Sequence, residues 1–387
     1  MFEVAVEDSF DFLSPEYAGL FARSTATAFQ HPAWLSQLYC RLLKSNGAQP
    51  LIVTVRRCSD KALVLLLPLL RRRYGALRVI EFADLRVSDY ISVVADAATF
   101  EAMAADAALR RQMLAALKPY DLLRLGKLKD GQLPLGKLFE IAQADPMPMS
   151  AYASELGTSF DDWRATRLKQ SYRKELDKKQ RQLHRKGEVK FGEMRSAAEI
   201  AAAFEAMRIF RRDRFERNGG GELLQVPAYY EFYMAVARES GFARTYAMTI
   251  DGQPIAAALG LKHKDSLLVI LGGFTQTEYK NQSIGSLMFQ EIARDCIARG
   301  ETVLDFTIGD EPYKLTFGAQ PTPMWQVSRP GSPLGLAAAV MVDKLPTVRA
   351  VARQLFHPRG SRTEVPEAPA GDMAMLDKQP APASVRS

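Results

Sequence analysis

The chain has 387 residues, of which 47% are hydrophobic and 25% charged, and it carries a net charge of +7. That length allows about two domains, and the composition is that of a globular protein with a sizeable core. The three cysteines are an odd number without metal-type spacing, which argues against a disulfide scaffold, and the four scattered histidines indicate no zinc site. We therefore expect a cytoplasmic protein with free thiols and no metal.

Two apolar runs, Ala62–Leu70 and Leu334–Val342, are the only candidates for membrane spans. Each is about half as long as the roughly 20 residues that a spanning helix needs. The N-terminus also lacks the basic start and apolar core of a signal peptide. We predict no transmembrane segment.

The first half of the chain predicts a three-stranded antiparallel meander followed by a helix and another strand. Alternating and β-rich segments are separated by turns at Ser59-Asp60-Lys61 and Gly75-Ala76. Upstream, Trp34 has Leu38 and Leu42 at helical spacing, which indicates core, and His31 is predicted to cap or pack rather than to catalyse. The predicted elements are the strands Leu51–Arg57, Ala62–Arg71 and Leu77–Ala83, the helix Phe100–Leu117 and the strand Tyr120–Leu125.

A strongly basic segment lies in the middle of the chain. Between Arg164 and Lys186 there are ten Lys or Arg residues against Glu175 and Asp177, a local net charge of +8 that accounts for the charge of the whole chain. Its leucines fall on one face of a predicted basic helix, 160–187, which Gly187 ends. The basic side chains of this helix are open to three interpretations: a solvated surface, a contact with tRNA phosphates, or a contact with anionic lipid.

The second half repeats the pattern of the first. Asp251-Gly252 and Lys264-Asp265 are turns in another predicted meander, and Asp-Gly between β-rich runs is a good hairpin signal. A repeat at this scale suggests duplication of one α/β unit. The predicted elements are the helices Ala197–Phe215 and Pro227–Glu239, the strands Ala243–Ile250, Pro254–His263 and Ser266–Phe274, the helix Gly285–Arg299 and the strand Thr302–Ile308.

Between a strand and a helix of this second unit lies a candidate phosphate loop. A helix N-terminus offers free N–H groups and a positive dipole end to an anion, and Gly285 allows a close approach. The alternative is an ordinary strand-to-helix turn. The candidate cofactor-binding residues are Gln282, Ser283, Ile284, Gly285, Ser286 and Leu287.

A second group of candidate residues, Asp305 to Lys314, follows the last predicted strand. Asp310 is predicted to cap a short helix that has Pro312 in its first turn. Acyl transfer from a thioester needs a proton donor for the leaving thiolate and a stabiliser for the oxyanion. Tyr313 and Lys314 fit these two roles, with Asp305 and Asp310 as further candidates. The alternative is a capped helix with a surface lysine.

Three sequence features resemble the CelD-like acetyltransferases, a cellulose-biosynthesis branch of the GNAT superfamily. They are Phe29–Leu35, the strand Leu67-Pro68-Leu69 leading to Ser88-Asp89-Tyr90, and Asp305–Lys314 with Phe317-Gly318. That branch is distantly similar to the Fem-type aminoacyltransferases, which pair two GNAT-like halves. The resemblance implies an acyltransferase with a CoA pyrophosphate loop at Gln282–Leu287 and an assisting lysine at Lys314. The acceptor is expected to be related to polysaccharide or the cell envelope, or to be a small molecule.

The predicted fold class is α/β (α+β): two tandem GNAT-like units, each a mainly antiparallel mixed sheet flanked by helices. We expect a degenerate N-terminal unit (1–150) without a phosphate loop, whose Asp84 and Asp89 face either the acceptor or solvent. A C-terminal acyltransferase unit (151–330), a helical segment (331–357) interrupted by Pro346, and a disordered tail (358–387) follow.

The expected function is acyl transfer, to nitrogen or oxygen, with acetyl-CoA as donor and no metal. Nucleic acid is not expected as a partner, and peripheral membrane contact through the basic helix stays open. Two alternatives stay open: a Fem-type transferase that uses charged tRNA, and a non-catalytic scaffold in polysaccharide synthesis.

Overall fold

The computed structural model describes residues 2–217, 222–275 and 279–344. Within these ranges no helix is long and apolar enough to cross a membrane. The strands are β1 Phe2–Glu7, β2 Gln49–Arg57, β3 Leu63–Tyr74, β4 Leu77–Phe82, β5 Val94–Ala95, β6 Leu122–Lys129, β7 Asp145–Glu155, β8 Val189–Met194, β9 Ala243–Ile250, β10 Gln253–His263, β11 Ser266–Phe274, β12 Val303–Ile308 and β13 Gln320–Pro330. The helices are α1 Pro15–Arg23, α2 Pro32–Arg41, α3 Ala97–Ala105, α4 Ala107–Ala116, α5 Phe160–Arg167, α6 Gln170–His184, α7 Ala197–Arg217, α8 Pro227–Ala237, α9 Ile284–Ala298, α10 Tyr313–Thr316 and α11 Pro333–Lys344.

The described strands form one mixed sheet in the order β1-β2-β3-β4-β6-β13-β7-β12-β11-β10-β9-β8, with β5 beside β3. Both predicted meanders are confirmed: β2-β3-β4 and β9-β10-β11 pair antiparallel. In each half the strand after the helix returns parallel to the third strand of the meander, β6 beside β4 and β12 beside β11. The two halves therefore have the same α/β topology, as the fold class predicts.

The two halves exchange a strand at the centre of the sheet. The strand β7, which follows the first unit in sequence, pairs with β12 of the second unit, and β13 at the end of the second unit pairs with β6 of the first. The exchanged strands also pair with each other. The predicted boundary between residues 150 and 151 falls inside β7, a strand of the shared sheet.

Proline explains why the sequence gives little sign of these two strands. Pro146 and Pro148 lie in β7, and Pro321 and Pro323 lie in β13. A proline cannot donate to a ladder and normally indicates a strand edge or a break. The register between β13 and β7 shifts between Pro323 and Trp325, and this irregularity accommodates the prolines in the sheet.

The halves also share a hydrophobic core. One cluster of buried side chains combines α1 and α2 with α7 and α8; within it the ring of Trp34 lies edge-on to Phe232 at 4.9 Å between centroids. A second cluster belongs mainly to the first half and a third to the second. Trp34 is fully buried, as its spacing with Leu38 and Leu42 predicts, and His31 caps α2 by accepting a hydrogen bond from the N–H of Ala33 (3.2 Å).

Two predicted helices are each divided into two. The helix predicted over Phe100–Leu117 is α3 and α4, because Asp106 leaves the helical conformation and caps α4 with its carboxylate. The basic helix predicted over 160–187 is α5 and α6, separated by Leu168, which is extended and buried. Charge patterning alone does not reveal these breaks. The extended residue supplies a helix cap at Asp106 and buries an apolar side chain at Leu168.

The C-terminal part of the described chain leaves the sheet as a helix. Within the helical segment predicted over 331–357, α11 covers Pro333–Lys344 and packs beside β6 and β13. The rest of that segment and the predicted disordered tail, 358–387, lie outside the described residues.

Candidate active site

The site begins at the junction of the two halves, where Asp305 at the end of β12 meets the first half. Its Oδ1 accepts hydrogen bonds from the hydroxyl of Tyr90 (2.7 Å) and from the N–H of Thr307 (2.7 Å). Its Oδ2 lies 3.3 Å from the ammonium of Lys129, which itself lies 4.7 Å from the centre of the Tyr90 ring. Asp305 is buried, so its carboxylate oxygens take their hydrogen bonds from these groups of the protein. The predicted candidate Asp305 thus ties the two halves together.

The three sequence features that resemble the CelD-like branch meet at this junction. Trp34 donates its indole N–H to the Ser88 hydroxyl (3.0 Å), and the side chain of Gln30 donates to the carbonyl of Tyr90 (3.3 Å). Tyr90 then reaches Asp305 across the halves. Residues that are distant in sequence therefore form one hydrogen-bonded unit beside the end of β12.

Asp89 lies between these residues and is half-buried. Burial raises the pKa of the Asp89 carboxyl to about 6, and the positive charges of Lys127 and Lys314 and a hydrogen bond with Thr307 counteract this only in part. The charge of Asp305 adds to the increase. A carboxyl group that titrates close to neutral pH is suited to proton transfer.

The backbone at the ends of β6 and β12 is strained at corresponding places. Thr307 has φ of 59° and Lys127 has φ of 60°, in the left-handed region that non-glycine residues rarely occupy and that a β-branched residue occupies at a particular cost. Each such residue costs about 1–3 kcal/mol and persists only where its surroundings impose it. Thr307 is held in this conformation by the hydrogen bond from its N–H to Asp305. Lys127 is held in it by its ammonium group, which donates to the Ser88 carbonyl (2.7 Å).

Lys314 is completely buried and its ammonium group is surrounded by acceptors. It donates to the carbonyls of Thr307, Ile308 and Gly309 at 3.3, 3.1 and 2.9 Å, and it pairs with the buried carboxylate of Glu311 at 2.9 Å. This geometry stabilises the turn after β12, and it leaves the ammonium no hydrogen atom to offer to an oxyanion. The surface lysine of the alternative interpretation is equally ruled out by the burial.

Tyr313 and Asp310 lie on either side of that turn. The Tyr313 ring stacks on Phe289 in α9 (5.3 Å between centroids, 19° between planes), so it lies near the beginning of the helix that follows the candidate phosphate loop. The prediction that Asp310 caps α10 is wrong, because Pro312 occupies the cap position. Asp310 instead accepts hydrogen bonds from the N–H of Ser150 (3.2 Å) and the hydroxyl of Tyr152 (3.0 Å) in β7. The prediction failed because the exchanged strand offers Asp310 donors that the sequence does not place nearby.

The candidate phosphate loop lies where two parallel strands part. β11 and β12 are paired from Ser266 to Leu268 and from Val303 to Asp305, although β11 continues to Phe274 and β12 to Ile308. The loop after β11 leads directly into α9. A gap between parallel strands that opens toward a helix N-terminus gives room for an acyl chain beside an anion-binding turn.

The N-terminus of α9 has the form that an anion needs. Ser283 occupies the cap position with φ of 51°, it is exposed, and its side chain makes no capping hydrogen bond. The N–H groups of the first helical turn have no partner within a helix, and in α9 these are the N–H groups of Ile284, Gly285 and Ser286. A β-carbon at position 285 would lie 2.9 Å from the Phe274 ring. The close packing of that ring therefore leaves room only for glycine.

Neighbouring elements add positive charge and packing to the same loop. The ammonium of Lys186 lies 5.4 Å from the ring centre of Tyr279, three residues before Gln282. Tyr172 in α6 hydrogen-bonds with the side chains of Ser286 and Thr316, and burial is the main cause that raises its pKa. The basic segment therefore packs beside the loop.

The corresponding helix of the first half begins differently. α3 is capped by Asp96, whose carboxylate accepts from the N–H of Thr99 (2.9 Å). That carboxylate stands where an anionic ligand would have to bind, and it would repel a phosphate. The contrast between the capped α3 and the uncapped α9 favours an anion site in the second half alone.

Sequence reasoning missed Lys127, Lys129 and Tyr90 as members of the site, and it missed the unusual conformation of Thr307. A signal was present for the two lysines, since positions 127 and 129 add two charges to a strand whose only other charged residue is Arg124. No local signal reveals that Tyr90 meets Asp305, because 215 residues separate them.

Comparison with known proteins finds a matching domain in the second half of the chain. Residues 170–315, which include α6, α9 and β12, match the model of a family described as an acetyltransferase (GNAT) domain. The sequence has no significant match among curated proteins.

Solved structures share the fold over most of the chain. FemX is similar with a TM-score of 0.58 and 12% identity, over 84% of this chain and 96% of that chain. L-PGS from Bacillus licheniformis is similar with a TM-score of 0.52 and 11% identity, over 85% of this chain and 96% of that chain. At such identities the likeness concerns the fold. Together with the matched domain it leads to one conclusion: the second half of this chain contains an acetyltransferase (GNAT) domain, and the protein is an acyltransferase of tandem GNAT architecture.

Proposed function

We propose that the protein transfers an acyl group from acyl-CoA, with acetyl-CoA as the simplest donor, to an amine or hydroxyl group of its acceptor. The observation that carries this proposal is the uncapped N-terminus of α9, which lies where β11 and β12 part. The family match supports it, because a GNAT domain generally takes acyl-CoA as donor. The N–H groups of Ile284, Gly285 and Ser286 would bind the pyrophosphate.

Two side chains have suitable positions and chemistry for the proton transfers. The acceptor nitrogen or oxygen attacks the thioester carbon, its proton passes to Asp89, and the carbon–sulfur bond breaks. The departing thiolate then takes a proton from the hydroxyl of Tyr313, whose ring stacks on α9. The pKa of Asp89, raised to about 6 by burial, supports its role as the base.

In this proposal the remaining candidate residues position other residues of the site. Asp305 holds Tyr90 and Thr307, and it thereby positions the segment that carries Asp89. Lys314 holds the turn that carries Tyr313. Asp310 fixes the same turn to β7.

The acceptor would bind at the junction of the halves, because Asp89 comes from the first half and the donor loop from the second. By resemblance to the CelD-like branch we propose a polysaccharide-related or envelope precursor as acceptor. The three cysteines are free, which agrees with action in the cytoplasm.

A second candidate function is transfer from a charged tRNA, and one observation favours it. On α5 and α6 the side chains of Lys169, Lys174, Arg181 and Arg185 are exposed. Such a surface would attract phosphates in a salt-dependent manner. However, Trp163, Leu168, Leu176 and Leu183 of the same segment are buried, which accounts for the helices as packing elements.

Calorimetry with acetyl-CoA and with tRNA at physiological salt would separate the two candidates. We expect saturable binding of acetyl-CoA, competition by free CoA, and acceptor-dependent thiol release that falls about 10–100-fold in Tyr313→Phe. Micromolar affinity for tRNA without any binding of acetyl-CoA would overturn the proposal in favour of the second candidate.

A further inference from the structure

The helix α11 has Gly335 toward the protein and four large apolar side chains toward solvent. Gly335 is buried, and a β-carbon there would lie 1.5 Å from the backbone oxygen of Asp121. By contrast, Leu334, Leu336, Val340 and Met341 are 47%, 54%, 44% and 48% exposed. At 100° per residue these four side chains lie within an arc of about 160°. A helix that serves only to cover a core has the reverse arrangement.

The outward orientation is fixed by contacts at the beginning of α11. The Ser332 hydroxyl donates to Asp121 Oδ1 (2.8 Å), and the N–H of Gly331 donates to the Asp121 carbonyl (2.8 Å). Asp121 is in turn held by two hydrogen bonds from the guanidinium of Arg78, at 2.9 and 3.0 Å. Because Gly335 packs directly on Asp121, rotating the helix to bury its leucines would place a larger side chain against that backbone.

The sequence around the exposed face is basic. Residues 333–362 contain Lys344, Arg349, Arg353, Arg359 and Arg362 against the single acidic residue Asp343. Large apolar side chains accompanied by Lys and Arg are typical of helices that lie in the interface of an anionic membrane.

We propose that α11 docks the protein on an anionic lipid membrane, with Leu334, Leu336, Val340 and Met341 inserted among the headgroups. The basic residues nearby in sequence would then contact the lipid phosphates. The basic segment of α5 and α6 lacks this combination, since its large apolar side chains are buried in the protein. Membrane contact is therefore assigned to α11 rather than to the basic helix, for which the sequence leaves it open.

A vesicle-binding experiment distinguishes a lipid membrane from other binding partners of the exposed face of α11. The full chain is sedimented with vesicles of phosphatidylcholine alone or of equal parts phosphatidylcholine and phosphatidylglycerol. We expect binding to the anionic vesicles and a loss of about 10-fold or more in the double variant Leu336→Gln/Val340→Gln, since both apolar side chains would lose their burial in the membrane. The matched control is Leu13→Gln, which changes a leucine that is 61% exposed at the other end of the chain and should leave binding unchanged.

Three results would overturn the proposal. The first is no binding of the unaltered protein to either vesicle, and the second is equal binding by the double variant. The third is a dimer in sedimentation velocity that the double variant converts to a monomer, since this would assign the face to a second copy of the chain. Thermal unfolding and acetyl-CoA affinity of both variants serve as checks on folding, and neither should change if the face contacts only lipid.

Discussion

Thr307 and Lys127 show how individual residues prepare this site. Both are held in a left-handed conformation at the end of a strand, and both are fixed by hydrogen bonds to groups from the junction. The strain bends each strand away from its regular course, which is why the ladder between β12 and β7 is irregular between Asp305 and Ile308. Around these residues lie Asp89, Asp305 and Lys314, whose burial makes their charges costly and interdependent.

The ionisation of Asp89 leads to the first residue-scale prediction. If Asp89 is the base, the rate of transfer should rise with pH through about 6, where its carboxyl loses a proton. In Asp89→Asn we expect this rise to disappear and turnover to fall about 10²–10⁴-fold. The measurement is kcat/KM for acyl transfer as a function of pH.

Stability should change in the opposite direction from activity. Because the folded-state pKa of Asp89 is raised, its contribution favours folding at low pH and is lost as pH rises through about 6. Asp89→Asn should therefore be more stable than the unaltered protein at pH 8, as seen by urea unfolding, and Asp60→Asn at the surface should change neither property. A pH–rate profile that is unchanged in Asp89→Asn would contradict the assignment.

Lys314 gives the second residue-scale prediction. Removing the ammonium would leave the buried Glu311 carboxylate and three carbonyls without their donor, which typically costs about 3–5 kcal/mol. We expect Lys314→Met to unfold at a clearly lower temperature, and Lys314→Met/Glu311→Gln to recover part of the loss because the uncompensated charge is gone.

The catalytic role first predicted for Lys314 has a different signature. It requires Lys314→Ala to fold normally and bind acyl-CoA normally, while turnover falls about 10²–10³-fold as on removal of an oxyanion donor. Circular dichroism, calorimetry and turnover on the same samples decide between the two outcomes.

At the scale of elements, the two helices that follow the meanders differ in one decisive way. α3 begins with a side-chain carboxylate in its cap position, whereas α9 begins with an exposed serine that makes no cap. We propose that the same backbone topology binds an anion in the second half and excludes it in the first. The residue at the cap would make the difference, because the helix dipole is common to both.

Ser283 provides a test of the donor site without disturbing the packing. Ser283→Asp places a negative charge at the cap of α9, and Ser283→Asn is its neutral match; both residue types tolerate the left-handed conformation. We expect the Asp variant to bind acyl-CoA about 10-fold or more weakly than the Asn variant, which corresponds to about 1.4 kcal/mol. Its unliganded form should be no less stable, since Asp is a good cap.

Equal affinities of the two Ser283 variants would place the pyrophosphate elsewhere. Substituting Gly285 is a less specific test. A side chain there would strike the Phe274 ring, so Gly285→Glu adds a packing defect to its negative charge.

At the scale of the whole molecule, the exchange of β7 and β13 makes the halves dependent on each other. The first unit lacks a neighbour for β6 unless β13 arrives from the end of the second unit, and the core around Trp34 needs α8. Each half alone would leave a long strand edge and a large apolar face in water.

We therefore predict that fragments 1–158 and 159–387 fold only together. Expressed alone, neither should show a cooperative thermal transition, whereas the two expressed in the same cell should copurify and bind acetyl-CoA. The uncut chain is the control. A cooperative transition for 1–158 alone would mean that the exchanged strand contributes little to folding.

Much of each unit follows from the sequence by itself. The meanders, the strands β6 and β12, the helix α9 and its glycine-bearing loop depend on alternation, turn residues and helical spacing, which act between residues close in the chain. The same local signals place Tyr313 directly after a strand that lies beside β11, as the structure has it. They also locate the core position of Trp34 and the cap at His31.

Only the tertiary structure decided how these units are combined and which side chains meet. The exchange of β7 and β13, the bond between Tyr90 and Asp305, and the outward face of α11 depend on contacts between residues far apart in the chain. Lys314 appears in the sequence as an ordinary charged residue, and its burial follows from three carbonyls that the strained backbone at Thr307 directs toward it. Local patterns specify which segments can form, but the chemistry of a side chain depends on its neighbours in space, because burial and nearby charges determine the free energy of each ionised group.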